Sequence, residues 1–155
     1  MDTEYIKGLI KGKITEIIFQ EMFKQSEEFT VIPIGYEYTV PELAQYQHHI
    51  QVKQVLNNIR NAPDFVLISQ DKKRVFLVEV KYRVKIEKDE ILTIAKRTVS
   101  SWSPCFIFIA TKYSFYFSPC STIILAKGSI EELRTTWVKS NIQKENIEIL
   151  QEFIK

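Results

Sequence analysis

The sequence predicts an α/β domain: a mixed central sheet of four or more strands flanked by helices, in the order α-β-β-β-α-β, with a helical insertion after the first strand and further helices at the C-terminal end. Three observations lead there. Apolar residues recur at helical spacing near the start, two apolar runs joined by a polar stretch form a β-hairpin in the middle, and a strand, an amphipathic helix and a strand follow one another after it.

From Thr3 to Lys24, Ile6, Leu9, Ile10, Ile14, Ile17, Ile18 and Met22 fall at helical intervals, so one long amphipathic helix is expected. Glu16 lies beside that stripe and shares its sector with Gly12, Lys13, Phe19 and Gln20. Gly8 and Gly12 stand one turn apart. Each weakens a helix by about 1 kcal/mol relative to alanine, and close approach of another backbone is one use for them. Phe29 to Tyr38 reads as the first strand, with Pro33 marking an edge or bulge.

Residues 42–60 read as a helical insertion that ends before Pro63. His48 and His49 fall in it, and adjacent helical residues point about 100° apart, too far to share one metal, so both are read as surface residues. Phe65 to Ile68 and Val75 to Val80 then flank Gln70-Asp71-Lys72-Lys73, which has the composition of a turn. With a symmetric loop, Ile68 faces Val75, Val66 faces Leu77 and Asp64 faces Glu79, all projecting with Lys81 from one side. Phe65, Leu67, Phe76 and Val78 line the opposite side, so both faces of the hairpin are expected to be covered.

Glu87 to Val99 carries Ile91, Leu92, Ala95 and Val99 at helical intervals, and Cys105 to Ala110 is an apolar strand. A right-handed crossover makes that strand parallel to Val75–Tyr82. Phe115–Phe117 and Thr122–Leu125 are expected as short strands. Ser129–Val138 and Lys144–Ile154 are expected as closing helices, the first opened by a capping box at Ser129-Ile130-Glu131-Glu132.

Composition sets the frame for function. A chain of 155 residues that is 45% hydrophobic makes one domain, residues 1–155, with a core that needs neither disulfide nor structural metal. A net charge of +2 permits a nucleic-acid partner without demanding one. Met1-Asp2-Thr3-Glu4 is not a basic region leading into an apolar segment, and no apolar run is long enough to span a bilayer. A cytoplasmic protein without a membrane partner is expected. Cys105 and Cys120 have no zinc-like spacing and read as reduced core thiols; both follow Ser-Pro, read as two strand starts.

The chemistry concentrates at the hairpin. Carboxylates opposed across a ladder lie about 4.5 to 5.5 Å apart at Cβ, where like charges destabilise the sheet. Protonation, a nearby cation or a divalent metal can offset this, and Mg²⁺ is an ion that takes paired carboxylates. Lys81 adds a fixed positive charge on the same face.

Pro63-Asp64, a short spacer and Glu79-Val80-Lys81 resemble the PD-(D/E)xK nuclease superfamily, whose restriction-endonuclease-like fold serves restriction enzymes, junction resolvases and many repair nucleases. The resemblance covers about residues 4 to 111, leaving about 112 to 155 as an appendage. It implies a Mg²⁺-dependent endonuclease acting on DNA, with Mn²⁺ as a substitute ion. Asp64, Glu79 and the Val80 carbonyl would hold the metal, Lys81 would orient or help activate the attacking water, and Glu16 would ligate the metal or position its hydration shell. Lys13, Arg83, Lys85, Lys96 and Arg97 are expected to meet the nucleic-acid backbone, and Trp102 to stack on a base or anchor the core. Cutting both strands of a duplex would suit a homodimer, since its strands are related by a two-fold axis. The alternative is a catalytically silent nucleic-acid-binding or assembly module that keeps the fold. No Gly-rich phosphate loop or Ser/His/Asp arrangement speaks for other hydrolytic chemistry.

Overall fold

A computed structural model describes residues 2–34 and 62–154; the expected insertion at 42–60 with His48 and His49, and the far half of the expected first strand, lie outside them. Helix α1 (Thr3–Gln25) is capped by Asp2, whose side chain accepts from the Glu4 N–H at 3.0 Å. Strand β1 (Phe29–Pro33) pairs antiparallel with β2 (Phe65–Ser69), and β2 pairs antiparallel with β3 (Val75–Tyr82). Helix α2 (Lys88–Ser101) carries the chain to β4 (Cys105–Ala110), which lies parallel to β3, and β5 (Phe115–Pro119) closes the sheet antiparallel to β4. Helices α3 (Cys120–Leu125) and α4 (Ser140–Phe153) follow. The result is an α/β fold built on a five-stranded mixed sheet in the order β1-β2-β3-β4-β5.

Alternation along the strands splits the core in two. Phe65, Leu67, Val78, Val80, Phe106 and Phe108 face α1 and α4, meeting Phe19, Met22, Phe23 and Leu150, while Cys105, Ile107 and Ile109 face Ile91, Ile94 and Ala95 of α2 and Ile123 of α3. All six residues of β4 are buried, which is why that strand reads as an unbroken apolar run. Phe19 and Phe108 pack edge to face with centroids 5.0 Å apart, and burying each such ring stabilises by about 1.5 to 3 kcal/mol. Residues after 111 join this core, since β5 extends the sheet and Leu133, Val138 and Leu150 are buried in the α1 layer.

Several expectations are corrected. Thr122–Leu125 is helical within α3: Pro119 starts the helix, Cys120 and Ile123 bury one side of it, and Lys127 (φ 56°) and Gly128 (φ 103°) end it with N–H bonds back to Ile124 and Ile123. Cys105 therefore starts a strand, and Cys120 a helix. Ser129–Val138 is no helix. Its first half runs beside β5, where the Phe117 N–H donates to the Glu131 carbonyl and the Leu133 N–H to the Phe115 carbonyl, both at 2.9 Å. The open edge of β5 outcompeted the capping box, and the Glu131 N–H is taken by Ser118 Oγ at 3.0 Å.

The hairpin is covered fully on one side only, because Ile32 and Val75 are 41% and 54% exposed on the other. Helix α1 buries Thr15, Ile18, Phe19, Met22 and Phe23, whereas Ile6, Leu9, Ile10 and Ile17 of the expected stripe stay exposed. Among the described residues no helix is long and apolar enough to cross a membrane.

Candidate functional site

The hairpin register is the expected one from Ile68↔Val75 to Phe65↔Val78, and there the ladder stops. Asp64 sits in a bend one residue earlier. Its N–H donates to the Val78 carbonyl at 2.9 Å, its own carbonyl accepts from the Ile34 N–H at 3.0 Å, and its Oδ2 accepts from the Val80 N–H at 2.8 Å. Asp64 thus does not occupy the ladder position opposite Glu79. It still lines the same cavity as Glu79, and the Asp64 charge acts on the Glu79 carboxyl.

Glu79 and Lys81 project from the same side of β3, two residues apart, with Lys81 Nζ 3.4 Å from Glu79 Oε1. The Glu79 side chain is only 13% exposed. Burial, and then the neighbouring charge of Asp64, push its carboxyl up to about 8 against the pull of Lys81. Burial also raises Asp64, opposed by the Val80 N–H and the Lys81 charge. Burial and mutual repulsion thus act against both carboxyl groups being charged at once. Glu16 reaches the same point from α1 and hydrogen-bonds to Asp64. Three acids and a lysine from three segments, α1, the bend before β2 and β3, meet at one place.

They line a cavity of about 600 Å³ with Gly8, Leu9, Lys11, Gly12, Lys13, Val80, Tyr82 and Arg83. Of the cations expected to contact nucleic acid, Lys13 and Arg83 line this cavity. Arg83 is held by Glu90 and by the Tyr82 carbonyl. Lys85, Lys96 and Arg97 are not in the lining: Lys85 pairs with Glu87 at 3.4 Å, and Lys96 and Arg97 sit exposed on α2, which packs on the other face of the sheet from α1. Trp102 caps the C-terminal end of α2 and is half-buried.

Sequence reasoning missed Lys11 and Tyr82, whose ammonium and ring centroid lie 5.7 Å apart at the cavity wall. Tyr82 follows Lys81 directly, and Lys11 lies five residues before Glu16, so proximity in sequence was the available signal. Cys105 and Cys120 are both free and buried, and the Cys105 thiol donates to the Phe106 carbonyl at 3.5 Å.

The donors fit a hard cation. Mg²⁺ is held by one or two carboxylates, with water and substrate phosphate completing its shell, and the Asp64–Glu79 pair with Val80 in the lining offers that set. No group of three His, Cys, Asp or Glu side chains that could hold a metal ion occurs among the described residues. No protein-family model matches the chain, and comparison with curated proteins and with solved structures finds no match.

Proposed function

We propose that this protein is a Mg²⁺-dependent deoxyribonuclease with a restriction-endonuclease-like fold, hydrolysing phosphodiester bonds in DNA. The observation that carries the reading is the half-buried Asp64–Glu79 pair beside Lys81, joined by Glu16 from a separate helix. Such a pair destabilises an empty protein, and a cation relieves it. A bound Mg²⁺ would supply charge stabilisation at the scissile phosphate and acidify a water.

The chain's own groups divide the remaining work. The Val80 N–H fixes Asp64 by a 2.8 Å bond, so its carboxylate needs little reorganisation to receive an ion. Lys81 sets a positive charge beside Glu79 and offsets charge that develops on the phosphate oxygens. Glu16, bonded to Asp64, orients water at the mouth of the pair.

One observation favours the silent module as a second reading: no buried side-chain polar atom lacks a hydrogen-bond partner, so the described residues are satisfied without an ion. The test is cleavage of single-stranded, duplex and branched DNA by purified protein with Mg²⁺ or Mn²⁺, beside Glu79→Ala and Lys81→Ala. Metal-dependent cutting that falls by about 10²-fold or more in Lys81→Ala, as expected for loss of a transition-state charge partner, supports the nuclease. Equal cutting by all three proteins, or none by any, removes it.

A further inference from the structure

The cavity has features that metal binding does not use. Besides the acids, its lining comes from Gly8 to Lys13 in the first half of α1 and from Lys81, Tyr82 and Arg83 at the end of β3. At about 600 Å³ it is the size that encloses one small molecule, or a nucleotide or two. A duplex is a poor fit to such a recess. Its phosphates are spread over a rod whose major groove alone is about 12 Å wide, whereas the Glu79 side chain is only 13% exposed.

The wall chemistry points the same way. Lys11 lies over the Tyr82 ring, 5.7 Å from its centroid, and Lys13 and Arg83 stand in the same lining. Cations that follow a backbone, set beside an aromatic face, are the means by which proteins hold unpaired strands. Gly8 and Gly12 complete the wall. A Cβ built at either meets nothing within 4 Å, so the fold itself has no use for their lack of a side chain. Both weaken the helix that carries them relative to alanine. What their absent side chains leave is bare main chain along the cavity, open to a ligand at close range.

We propose that this cavity admits a single nucleic-acid strand and not a duplex, the strand's sugar-phosphate backbone crossing α1 at Gly8 and Gly12 opposite Lys11, Tyr82 and Arg83. The inference rests on the nuclease reading and specifies the form of its substrate. Unpaired ends, flaps and single-stranded segments are then the targets.

The test uses the full chain carrying Glu79→Gln without added metal, so that bound strands survive. Fluorescence anisotropy compares a short labelled oligothymidylate with a blunt duplex of the same length. The single strand should bind at least about tenfold tighter, the difference expected when stacking and backbone tracking are available to one form only. Adding Gly8→Ala or Gly12→Ala should weaken single-strand binding about tenfold, a loss equal to the ~1.4 kcal/mol that separates decades of affinity. The same substitutions should raise the melting temperature by about 2 to 4 °C, because each removes a helix-weakening glycine.

Opposite signs for binding and stability are the signature. Duplex binding as tight as single-strand binding overturns the inference and leaves the nuclease reading standing. So does unchanged single-strand affinity in a stabilised Gly12→Ala protein, or a fall in its melting temperature, which would make the glycine structural. Failure to bind either form overturns both.

Discussion

Binding of Mg²⁺ at neutral pH should expel close to one proton. The perturbation is titration of the protein with Mg²⁺ at a series of pH values. Burial first, and Asp64 second, push the Glu79 carboxyl up to about 8. At pH 7 it is therefore protonated in about nine molecules of ten, and a ligand that requires the carboxylate must displace that proton. Release of about 0.9 proton per ion is expected at pH 7, about 0.5 at pH 8 and about 0.1 at pH 9. Apparent affinity should rise by about tenfold from pH 6 to pH 7 and level off above about pH 8. Isothermal titration calorimetry in buffers of different ionisation enthalpy reads the proton count as a slope, and Glu79→Gln should abolish both the slope and the binding. A zero slope at pH 7, or an affinity that does not change between pH 6 and 9, would refute the raised Glu79 carboxyl and the role given to it.

Two further outcomes follow from single residues. Without metal, stability should fall as pH rises from 4.5 to about 8, because the folded Glu79 holds a proton that the unfolded chain releases; the slope is about 1.4 kcal/mol per pH unit at most, and denaturant melts should show it flattened in Glu79→Gln. Gly128→Ala should destabilise by about 2 kcal/mol or more, since Gly128 has φ 103° and a Cβ there would stand 2.1 Å from the Lys88 carbonyl oxygen; a urea midpoint equal to that of the parent would contradict the strain.

Where the sequence is legible, the reason is periodicity. Strand β4, helix α2 and the hairpin register from Ile68↔Val75 to Phe65↔Val78 all follow from apolar spacing, because each element must present one side to a core already implied by its neighbours. Thr122–Leu125 shows the limit. A short apolar run suits strand or helix equally, and the punctuation that decides it, Pro119 before and Gly128 after, lies outside the run. Ser129–Val138 failed for a different reason: its local preference was overridden by the unpaired edge of β5, which no local pattern reveals. At the site, Glu79 and Lys81 could be placed together because strand alternation dictates it. Asp64 was assigned to the right place by the wrong geometry, since the ladder ends before it and three hydrogen bonds, to Ile34, Val78 and Val80, turn it inward. Lys11 and Gly8 entered the cavity through the course of α1 across the end of β3, a tertiary fact.

The energetics argue that this constellation is not there for the sheet. A buried ionic group is weak evidence for stability, and apolar residues of similar volume commonly serve a core as well or better. Here the imbalance is larger than for a simple ion pair. Two carboxyl groups face one lysine at 3.4 Å from Glu79, and the surplus acid is accommodated only by retaining a proton far above its usual range. At neutral pH that arrangement subtracts from folding stability, on the order of a few kcal/mol against a total of about 5 to 15 kcal/mol for a domain of this kind. The Val80 N–H nevertheless holds Asp64 rigidly against its neighbour, and the Ile34 and Val78 bonds fix the bend that brings it there. On the proposed reading, two acids held in such a position, where a leucine at either would remove the repulsion, are kept for the ion that enters between them.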